Sequence, residues 1–249
     1  MRTSTPEAVW LNTSPSLRCF DQGLLSQLAN KVPIGYWEYQ QSLDEPSVFS
    51  IATTLVHDYL KSLNRPVHLI GHSTGGLIAL LYAREHPERV KSLTLMAVGT
   101  NPTVDWKSHY YVLQQLLPYS RENLLRQMAR ICGFQSAASE RKIARLLERD
   151  LVESFSPHSL TQRASFSVED VSVPLFVCGS LTDNIVSHYE MNEWKSFLKE
   201  GDRLHQFPQG GHFFHYFFPE QIKAEIFKFW SSIEHLPEQQ VRVRADCYN

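Results

Sequence analysis

The serine at position 73 is the side chain of this sequence best placed for chemistry, because it lies at the centre of Gly71–Gly75, which reads G-H-S-T-G. The apolar run Val67–Ile70 predicts a strand before it, and helix-forming residues follow. In that strand–turn–helix context the motif G-x-S-x-G exposes a serine hydroxyl at the carboxyl end of the strand. The turn is expected to hold Ser73 in a strained conformation, which costs about 1–3 kcal/mol and is usually kept where function needs it. The sequence therefore predicts Ser73 as a nucleophile.

A serine hydroxyl is a weak nucleophile at neutral pH, so it needs a base within hydrogen-bond reach and an acid that orients the base. Two residues that follow late strands supply these groups. Asp183 lies in the loop after the buried apolar run Leu175–Gly179. His212 follows the predicted last strand, Arg203–Phe207, and the glycine pair Gly210–Gly211 gives its loop the freedom to aim the imidazole. We therefore predict Asp183 as the acid and His212 as the base.

Other residues compete for these roles. Asp105 lies just beyond the preceding strand and could also reach the histidine. His215 comes three residues after His212 and is expected on the helical segment that follows. His72 neighbours the serine in sequence, but its side chain is expected to point away and to serve as a hydrogen-bonded scaffold. His68 and His72 would ligate a metal at this spacing only on a helix, and because the segment reads as a strand we predict no metal site.

An oxyanion that forms during attack on a carbonyl needs hydrogen-bond donors. The backbone N–H of Thr74, immediately after the nucleophile, is one candidate. The loop after the first strand, residues 12–16, is expected to supply the second, with the Ser14 N–H preferred and the Thr13 N–H as the alternative. The composition of this loop would equally suit an ordinary turn.

The composition excludes several classes of protein. The 249 residues are 43% hydrophobic, with a formal net charge of -2 and no basic cluster, so nucleic acid is not an expected partner. The beginning of the sequence lacks the apolar core of a signal peptide, and no apolar run is long enough to cross a bilayer. We expect a soluble, cytoplasmic protein. The four cysteines are far apart, which argues against a disulfide framework or a zinc site; they are Cys19, Cys132, Cys178 and Cys247.

The elements that must position these residues alternate along most of the chain. Alternation of strands and helices predicts βαβ units, hence a mostly parallel sheet of about six strands with helices on both faces. The predicted strands are Ala8–Leu11, Val32–Tyr39, Val67–Ile70, Val90–Val98, Val173–Gly179 and Arg203–Phe207, and the predicted helices of this layer are Phe20–Asn30, Ser47–Leu63, Gly75–Arg84 and Pro219–Ile233.

The alternation stops between about residues 101 and 169, where the pattern predicts three or four amphipathic helices and no good strand. We interpret this stretch as a helical cap inserted at the carboxyl end of a strand, where such folds bind ligands. The alternative is that these are simply further helices packed on the edge of the sheet. The predicted organisation is a core of residues 1–100 and 170–236, a cap of residues 101–169 and a polar C-terminal tail of residues 237–249.

Together these motifs resemble the α/β-hydrolase superfamily, and the resemblance covers nearly the whole chain. Gly71–Gly76 resembles the nucleophile elbow of that family, Gly179–Asp183 its acid loop and Gly210–His212 its histidine loop. The inserted helices occupy the usual position of the cap. The resemblance implies the α/β-hydrolase fold, a catalytic triad of the serine, histidine and aspartate named above, an acyl-enzyme intermediate and no cofactor.

The chain departs from the pattern of the family in three places. Many relatives carry His-Gly after the first of these strands, where this chain has Asn12-Thr13, and an Asp-x-x-Gly-x-Gly loop after the next, where it has Glu38–Pro46. Only a handful of residues precede Trp10, so the N-terminal hairpin of the relatives is expected to be short or absent. The nucleophile is serine rather than aspartate, which by resemblance argues against haloalkane dehalogenases and epoxide hydrolases.

The resemblance indicates the type of reaction more specifically than it indicates the substrate. We expect a serine hydrolase that cleaves a small ester or thioester of an apolar acyl group, in a pocket walled by the Leu, Met, Tyr and Phe side chains of the cap. Pro208–Phe214 is similar to the histidine loop of type II thioesterases, which edit acyl chains on carrier proteins. Carbon–carbon bond hydrolysis or lyase chemistry with the same triad, and a non-catalytic binding protein on this scaffold, stay open as alternatives.

Overall fold

The structure of the protein, a computed structural model, describes residues 5–40, 47–156, 158 and 169–234. Three sequence predictions fall partly or wholly outside these residues: the end of the loop Glu38–Pro46, the last part of the cap, and the tail with Cys247. The strands are β1 (Ala8–Asn12), β2 (Ile34–Glu38), β3 (Val67–His72), β4 (Val90–Met96), β5 (Leu175–Ser180) and β6 (Arg203–Phe207). The helices are α1 (Gln22–Ala29), α2 (Phe49–Lys61), α3 (Ser73–Glu85), α4 (Trp106–Leu116), α5 (Arg121–Ile131), α6 (Ala137–Glu153), α7 (His188–Glu193), α8 (Phe214–Phe217) and α9 (Pro219–Glu234).

The six strands form one sheet in the order β2-β1-β3-β4-β5-β6, and every neighbouring pair is parallel. The sequence prediction of a mostly parallel sheet of about six strands is therefore confirmed. Strand order reverses between β1 and β3, because the chain runs outward from β1 to β2 and then returns. Open parallel sheets bind ligands in the crevice at such a reversal, at the carboxyl ends of the strands.

Both faces of the sheet are covered, which explains why its strands read as continuous apolar runs. On one face α2 and α3 pack against alternate strand residues such as Leu11, Leu69 and Leu95. On the other face α1 and α9 pack against the intervening residues, among them Trp10 and Phe176. The predicted placement of helices on both faces is confirmed. None of the described helices is long and apolar enough to cross a membrane.

Helices α4, α5 and α6 lie between β4 and β5 in the chain, where the sequence predicts amphipathic helices. Each begins at a side-chain cap: Asp105 accepts from Ser108 N–H, Ser120 from Asn123 N–H, and Ser136 from the N–H three residues later. Such caps satisfy N–H groups that have no partner within the helix. The division of the chain into core, cap and tail stays a prediction.

Candidate active site

Ser73 lies at the junction of β3 and α3 and has a φ of 50°, which is in the left-handed region. A side chain is strained there, as the sequence predicts. The flanking glycines are required by close approach of the backbone: a Cβ at Gly75 would lie 2.3 Å from the carbonyl oxygen of Leu11, and one at Gly71 would lie 2.6 Å from Gly75. The turn therefore brings Ser73 to the crevice between β1 and β3, with only 9% of the residue exposed.

The structure brings His212 to this serine. Ser73 Oγ donates a hydrogen bond to His212 Nε2 at 3.3 Å, and His212 Nδ1–H donates to Asp183 Oδ2 at 2.9 Å. All three residues are buried, and His212 is fully so. The three side chains that the sequence predicts as nucleophile, base and acid thus form one hydrogen-bonded line across residues that are far apart in the chain.

The loops that carry His212 and Asp183 hold these two side chains rigidly. The second oxygen of Asp183, Oδ1, accepts from the backbone N–H of Ile185 at 2.7 Å and of Val186 at 3.2 Å. The histidine loop turns at Gly211, which has a φ of 59° and where a Cβ would lie 2.7 Å from the carbonyl oxygen of Cys132. These two hydrogen bonds fix the plane of the Asp183 carboxylate and leave Oδ2 for His212, so Asp183 is placed to orient the imidazole.

Asp105, the alternative acid, has other partners. Its Oδ2 accepts from Thr74 Oγ1 at 2.8 Å, and its Oδ1 accepts from Ser108 N–H at 2.8 Å, which caps α4. Within the described residues it makes no hydrogen bond to His212, whose acidic partner is Asp183. Asp105 therefore contacts the turn that carries Ser73, by way of Thr74, and is not the partner of the His212 imidazole.

His72 and His215 lie where the sequence predicts. His72 donates from Nε2–H to the carbonyl oxygen of His212 at 2.8 Å, so it is a hydrogen-bonded residue of the scaffold. Burial, followed by the nearby His215 and His212, lowers the pKa of His72 well below its usual range, which keeps the ring neutral. His215 lies on α8, the helical segment after His212. Burial also lowers the pKa of His109, which the sequence analysis did not single out.

The candidate oxyanion donors are the point at which the structure differs from the sequence interpretation. Thr74 is the second residue of α3, where N–H groups have no partner in the helix and the helix dipole favours negative charge. The Ser14 N–H, however, already donates to Asn12 Oδ1 at 3.0 Å. The Thr13 N–H has no hydrogen bond to any described residue. The preference for Ser14 is thus corrected in favour of Thr13, because the Asn12 side chain closes a turn over the Ser14 amide.

A cavity of about 30 Å³ lies beside Ser73. This is room for one or two water molecules. Among the described residues of the cap, Trp106 and Lys107 line this cavity, whereas buried cap residues such as Leu124 and Met128 pack into the core. The expectation of a pocket walled by the apolar side chains of the cap stays a prediction. The residues that line the cavity are Trp10, Leu11, Asn12, Thr13, Ser14, Leu17, Asp21, His72, Ser73, Thr74, Trp106, Lys107, His212 and Phe213.

A buried ion pair in the cap borders this cavity and was missed by the sequence analysis. Lys107 Nζ lies 3.4 Å from Asp150 Oδ2 and donates to the carbonyl oxygen of Phe155 at 3.0 Å, and both charged residues are at most 2% exposed. Asp150 Oδ2 also accepts from Trp106 Nε1–H at 3.2 Å and from Ser14 Oγ at 3.4 Å. The pair therefore fastens the cap to the loop after β1. Charged residues on amphipathic helices are normally assigned to solvent, so the sequence carries no clear signal for it.

Known proteins resemble this chain along nearly its whole length. Residues 60–131 match the family model described as "alpha/beta hydrolase fold". An uncharacterised protein of Synechocystis sp. is 43% identical over 94% of this chain and 93% of its own length.

Two solved structures share the fold. The meta-cleavage product hydrolase CumD of Pseudomonas fluorescens has a TM-score of 0.70 at 14% identity and covers 90% of each chain. Naproxen esterase of Bacillus subtilis has a TM-score of 0.67 at 15% identity and covers 91% of this chain and 84% of its own. At such low identities, these two likenesses show the fold alone.

Proposed function

Because this chain belongs to the α/β-hydrolase superfamily, we propose that it is a serine hydrolase that cleaves a small carboxylic ester or thioester through an acyl-enzyme intermediate. The observation that carries the proposal is the hydrogen-bonded line from Ser73 Oγ through His212 to Asp183, with distances of 3.3 and 2.9 Å. In a hydrolase this arrangement is the one that activates a serine hydroxyl for attack on a carbonyl carbon.

In the acylation step Ser73 Oγ bonds to the carbonyl carbon of the substrate while His212 Nε2 takes the hydroxyl proton. The carbonyl π electrons move to the oxygen, which becomes an oxyanion. When the oxyanion collapses, the bond to the leaving alcohol or thiol breaks and His212 returns the proton to that group. Asp183 holds the imidazole in the tautomer with the proton on Nδ1 and stabilises the imidazolium that forms.

Deacylation repeats these events with water. His212 takes a proton from a water molecule whose oxygen attacks the acyl carbon, and the second tetrahedral intermediate expels Ser73 Oγ, which regains its proton from His212. The products are a carboxylic acid and the alcohol or thiol released in the first step.

The oxyanion in both steps is proposed to accept from the backbone N–H groups of Thr74 and Thr13. The N-terminal end of α3 adds a favourable partial positive charge at the same place. The side chain of Asn12 orders the loop that carries Thr13. Its Nδ2–H₂ donates to Glu38 Oε2 at 3.0 Å, and its Oδ1 accepts from the Ser14 N–H. The residue that stands where many relatives have histidine therefore orders the loop.

Removal of the serine hydroxyl tests the proposal. Ser73→Ala should lower kcat for p-nitrophenyl butyrate by at least about 10³-fold, because every later step depends on the acyl-enzyme. Wild type should show a burst of p-nitrophenol equal to the concentration of active sites, and the variant should show none. Ser92→Ala removes the hydroxyl of a fully buried serine of β4, outside the site, and should keep both the burst and the turnover. Unchanged turnover in Ser73→Ala would overturn the enzyme assignment.

The same assay on matched oxygen esters and thioesters, and on a vinylogous 1,5-diketone cleaved at a carbon–carbon bond, separates the alternatives. Preference for the thioester would favour the thioesterase-like reading, and turnover of the diketone alone would favour carbon–carbon bond hydrolysis. Absence of turnover, together with absence of labelling of Ser73 by a fluorophosphonate, would favour a binding protein.

A further inference from the structure

His215 and Asp21 form a second buried imidazole–carboxylate pair, close to the proposed base His212. His215 Nε2–H donates to Asp21 Oδ1 at 3.1 Å, and the other oxygen of Asp21 accepts from Trp10 Nε1–H at 3.2 Å. All three residues are buried, and His215 is completely so. Nothing in the proposed mechanism uses them, although Asp21 and Trp10 line the same cavity as Ser73.

His72 connects this pair to the base. Its ring centroid is 4.4 Å from that of His215, and its Nε2–H donates to the carbonyl oxygen of His212 at 2.8 Å. His72 immediately precedes the nucleophile, and His215 lies three residues after the base. The contact between the two rings therefore joins the nucleophile turn to the histidine loop, and Asp21 anchors it to the residues that follow β1.

Burial of these polar groups carries a free-energy cost. Burying a carboxylate away from water raises its pKa, as burial does for Asp21, and the hydrogen bond from His215 only partly offsets this. Nδ1 of His215 is buried and has no hydrogen-bond partner among the described residues. Apolar side chains of similar volume would fill the same space without these penalties. What they could not supply is a directional hydrogen bond to the backbone of His212.

We propose that Asp21, His215 and His72 are positioning residues that fix the backbone of His212, and so hold its Nε2 within reach of Ser73 Oγ. This inference rests on the proposed hydrolytic function. Asp21 accepts from Trp10 and His215 at once, which fixes the plane of the His215 ring. His215 in turn packs against His72, and His72 donates to the carbonyl oxygen of His212. The base is thereby held by its side chain through Asp183 and by its main chain through His72.

The test compares substitutions that keep or remove the donor. Both contacts use Nε2, and the amide nitrogen of glutamine can reach a similar position, whereas phenylalanine keeps the ring without the donor. His72→Phe and His215→Phe should each lower kcat per titrated active site by about 10–100-fold with little change in KM. His72→Gln should recover most of that loss, because it keeps the donor to His212. His215→Gln keeps the donor to Asp21 but loses the ring that packs against His72, so it should recover only part of the loss. The number of active sites is measured by stoichiometric phosphonylation of Ser73.

A matched control comes from the same strand. His68 is also a buried histidine of β3, donates to or accepts from Ser92 Oγ at 2.7 Å, and stacks on Trp230 away from the site. His68→Phe should cost a comparable amount of stability and leave kcat per active site unchanged. If the losses in His72→Phe and His215→Phe were no larger than that of His68→Phe, the positioning role would be overturned.

Proton NMR of His212 tests the positioning role without relying on hydrolytic activity. The Nδ1–H proton of His212, hydrogen-bonded to Asp183, should give a low-field proton resonance in the wild type and in His72→Gln, and that resonance should broaden or vanish in the phenylalanine variants. If wild type hydrolysed no ester, the proposed function would fail while this signal still decided the positioning role. Asp21→Asn serves if a phenylalanine variant does not fold: asparagine can accept from only one of Trp10 and His215, so the resonance and kcat should again decline, and an unaltered resonance would count against the proposal.

Discussion

Asp183 and Asp105 are both buried carboxylates that follow strands of the sheet, but the structure gives them different partners. Asp183 accepts from His212 and from two backbone N–H groups, whereas Asp105 caps α4 and accepts from Thr74. The sequence predicts Asp183 as the acid and keeps Asp105 as the alternative, because each residue follows a strand of the parallel sheet. Only the fold of the intervening loops decides which carboxylate reaches the imidazole.

Exchange of each carboxylate for its amide tests this difference. Asp183→Asn should lower kcat by about 10³–10⁴-fold, because an amide can stabilise the wrong tautomer of His212 and carries no charge for the imidazolium. Asp105→Asn keeps a residue that caps a helix as well as aspartate does. Its cost should stay below about tenfold, the loss of one hydrogen bond to Thr74. The measurement is kcat with p-nitrophenyl butyrate, and the reverse order of the two losses would assign the acid to Asp105.

Hydrogen bonds between side chains that are far apart in the chain could not be predicted from the sequence where the residues carry no local signal. The proximity of Ser73, His212 and Asp183 could be predicted because each has a local signal, a position in the turn or loop that follows a strand. His215 and Asp21 are 194 residues apart and carry no local signal for their pairing. Ser14 was preferred as an oxyanion donor from its position in the chain alone, and that position does not reveal that Asn12 occupies its N–H.

At the scale of elements, the junction of β3 and α3 depends on how closely α3 approaches β1. The atom nearest to a Cβ built at Gly75 is the carbonyl oxygen of Leu11, at 2.3 Å, and this is a backbone atom that cannot rotate aside. The same close approach brings the nucleophile beside the loop after β1, where the proposed oxyanion donor Thr13 lies. Stability and activity are therefore coupled at this glycine.

Addition of a single methyl group tests that coupling. Gly75→Ala should destabilise the protein by about 1–3 kcal/mol through overpacking and should also lower kcat, because β1 and α3 must separate. Gly23→Ala in α1 is the matched control, since the atom nearest to its Cβ would be 3.7 Å away. Alanine there should raise stability by about 0.5–1 kcal/mol, because glycine weakens a helix. The midpoint of urea unfolding measures both effects, and an unchanged midpoint in Gly75→Ala would contradict the close approach.

The cap shows why amphipathic patterns locate helices better than they locate pockets. The amphipathic pattern of this stretch predicts helices, and α5 and α6 bury apolar residues such as Leu124 and Leu147. The pattern does not say what the apolar faces cover. In the structure α5 and α6 pack on each other and on the core, and in the described part of the cap Trp106 and the charged Lys107 reach the cavity. The burial of Lys107 depends on Asp150, which another helix supplies.

At the scale of the whole molecule, the alternation of strands and helices was sufficient to predict a parallel sheet with helices on both faces. The order of the strands was not predicted, because alternation alone does not say on which side of β1 each later strand adds. That order places β3 beside β1 and creates the crevice in which the serine, its base and the loop after β1 meet. The site is therefore a property of the topology as well as of the three motifs.

Under the proposed function, the size of this crevice predicts which length of acyl chain should be preferred. Ligand pockets for larger molecules measure about 300–1,000 Å³, whereas the cavity beside Ser73 measures about 30 Å³. Among p-nitrophenyl esters from acetate to decanoate, kcat/KM should therefore be highest for the shortest chains. It should fall by about tenfold or more by decanoate, because a chain that does not fit must displace packed side chains, and such overpacking costs about 1–3 kcal/mol.

Leu17 is the wall residue whose shortening should relax this limit. It is buried in the 3₁₀ helix Pro15–Phe20 and lines the cavity, so Leu17→Ala should raise kcat/KM for butyrate or hexanoate relative to acetate. Leu24→Ala removes the same volume from the core on the opposite face of the sheet and should leave that ratio unchanged while it lowers stability by about 2–5 kcal/mol. A wild-type enzyme that prefers decanoate would show that the crevice opens widely before the substrate binds, and the cavity would then not set the acyl length.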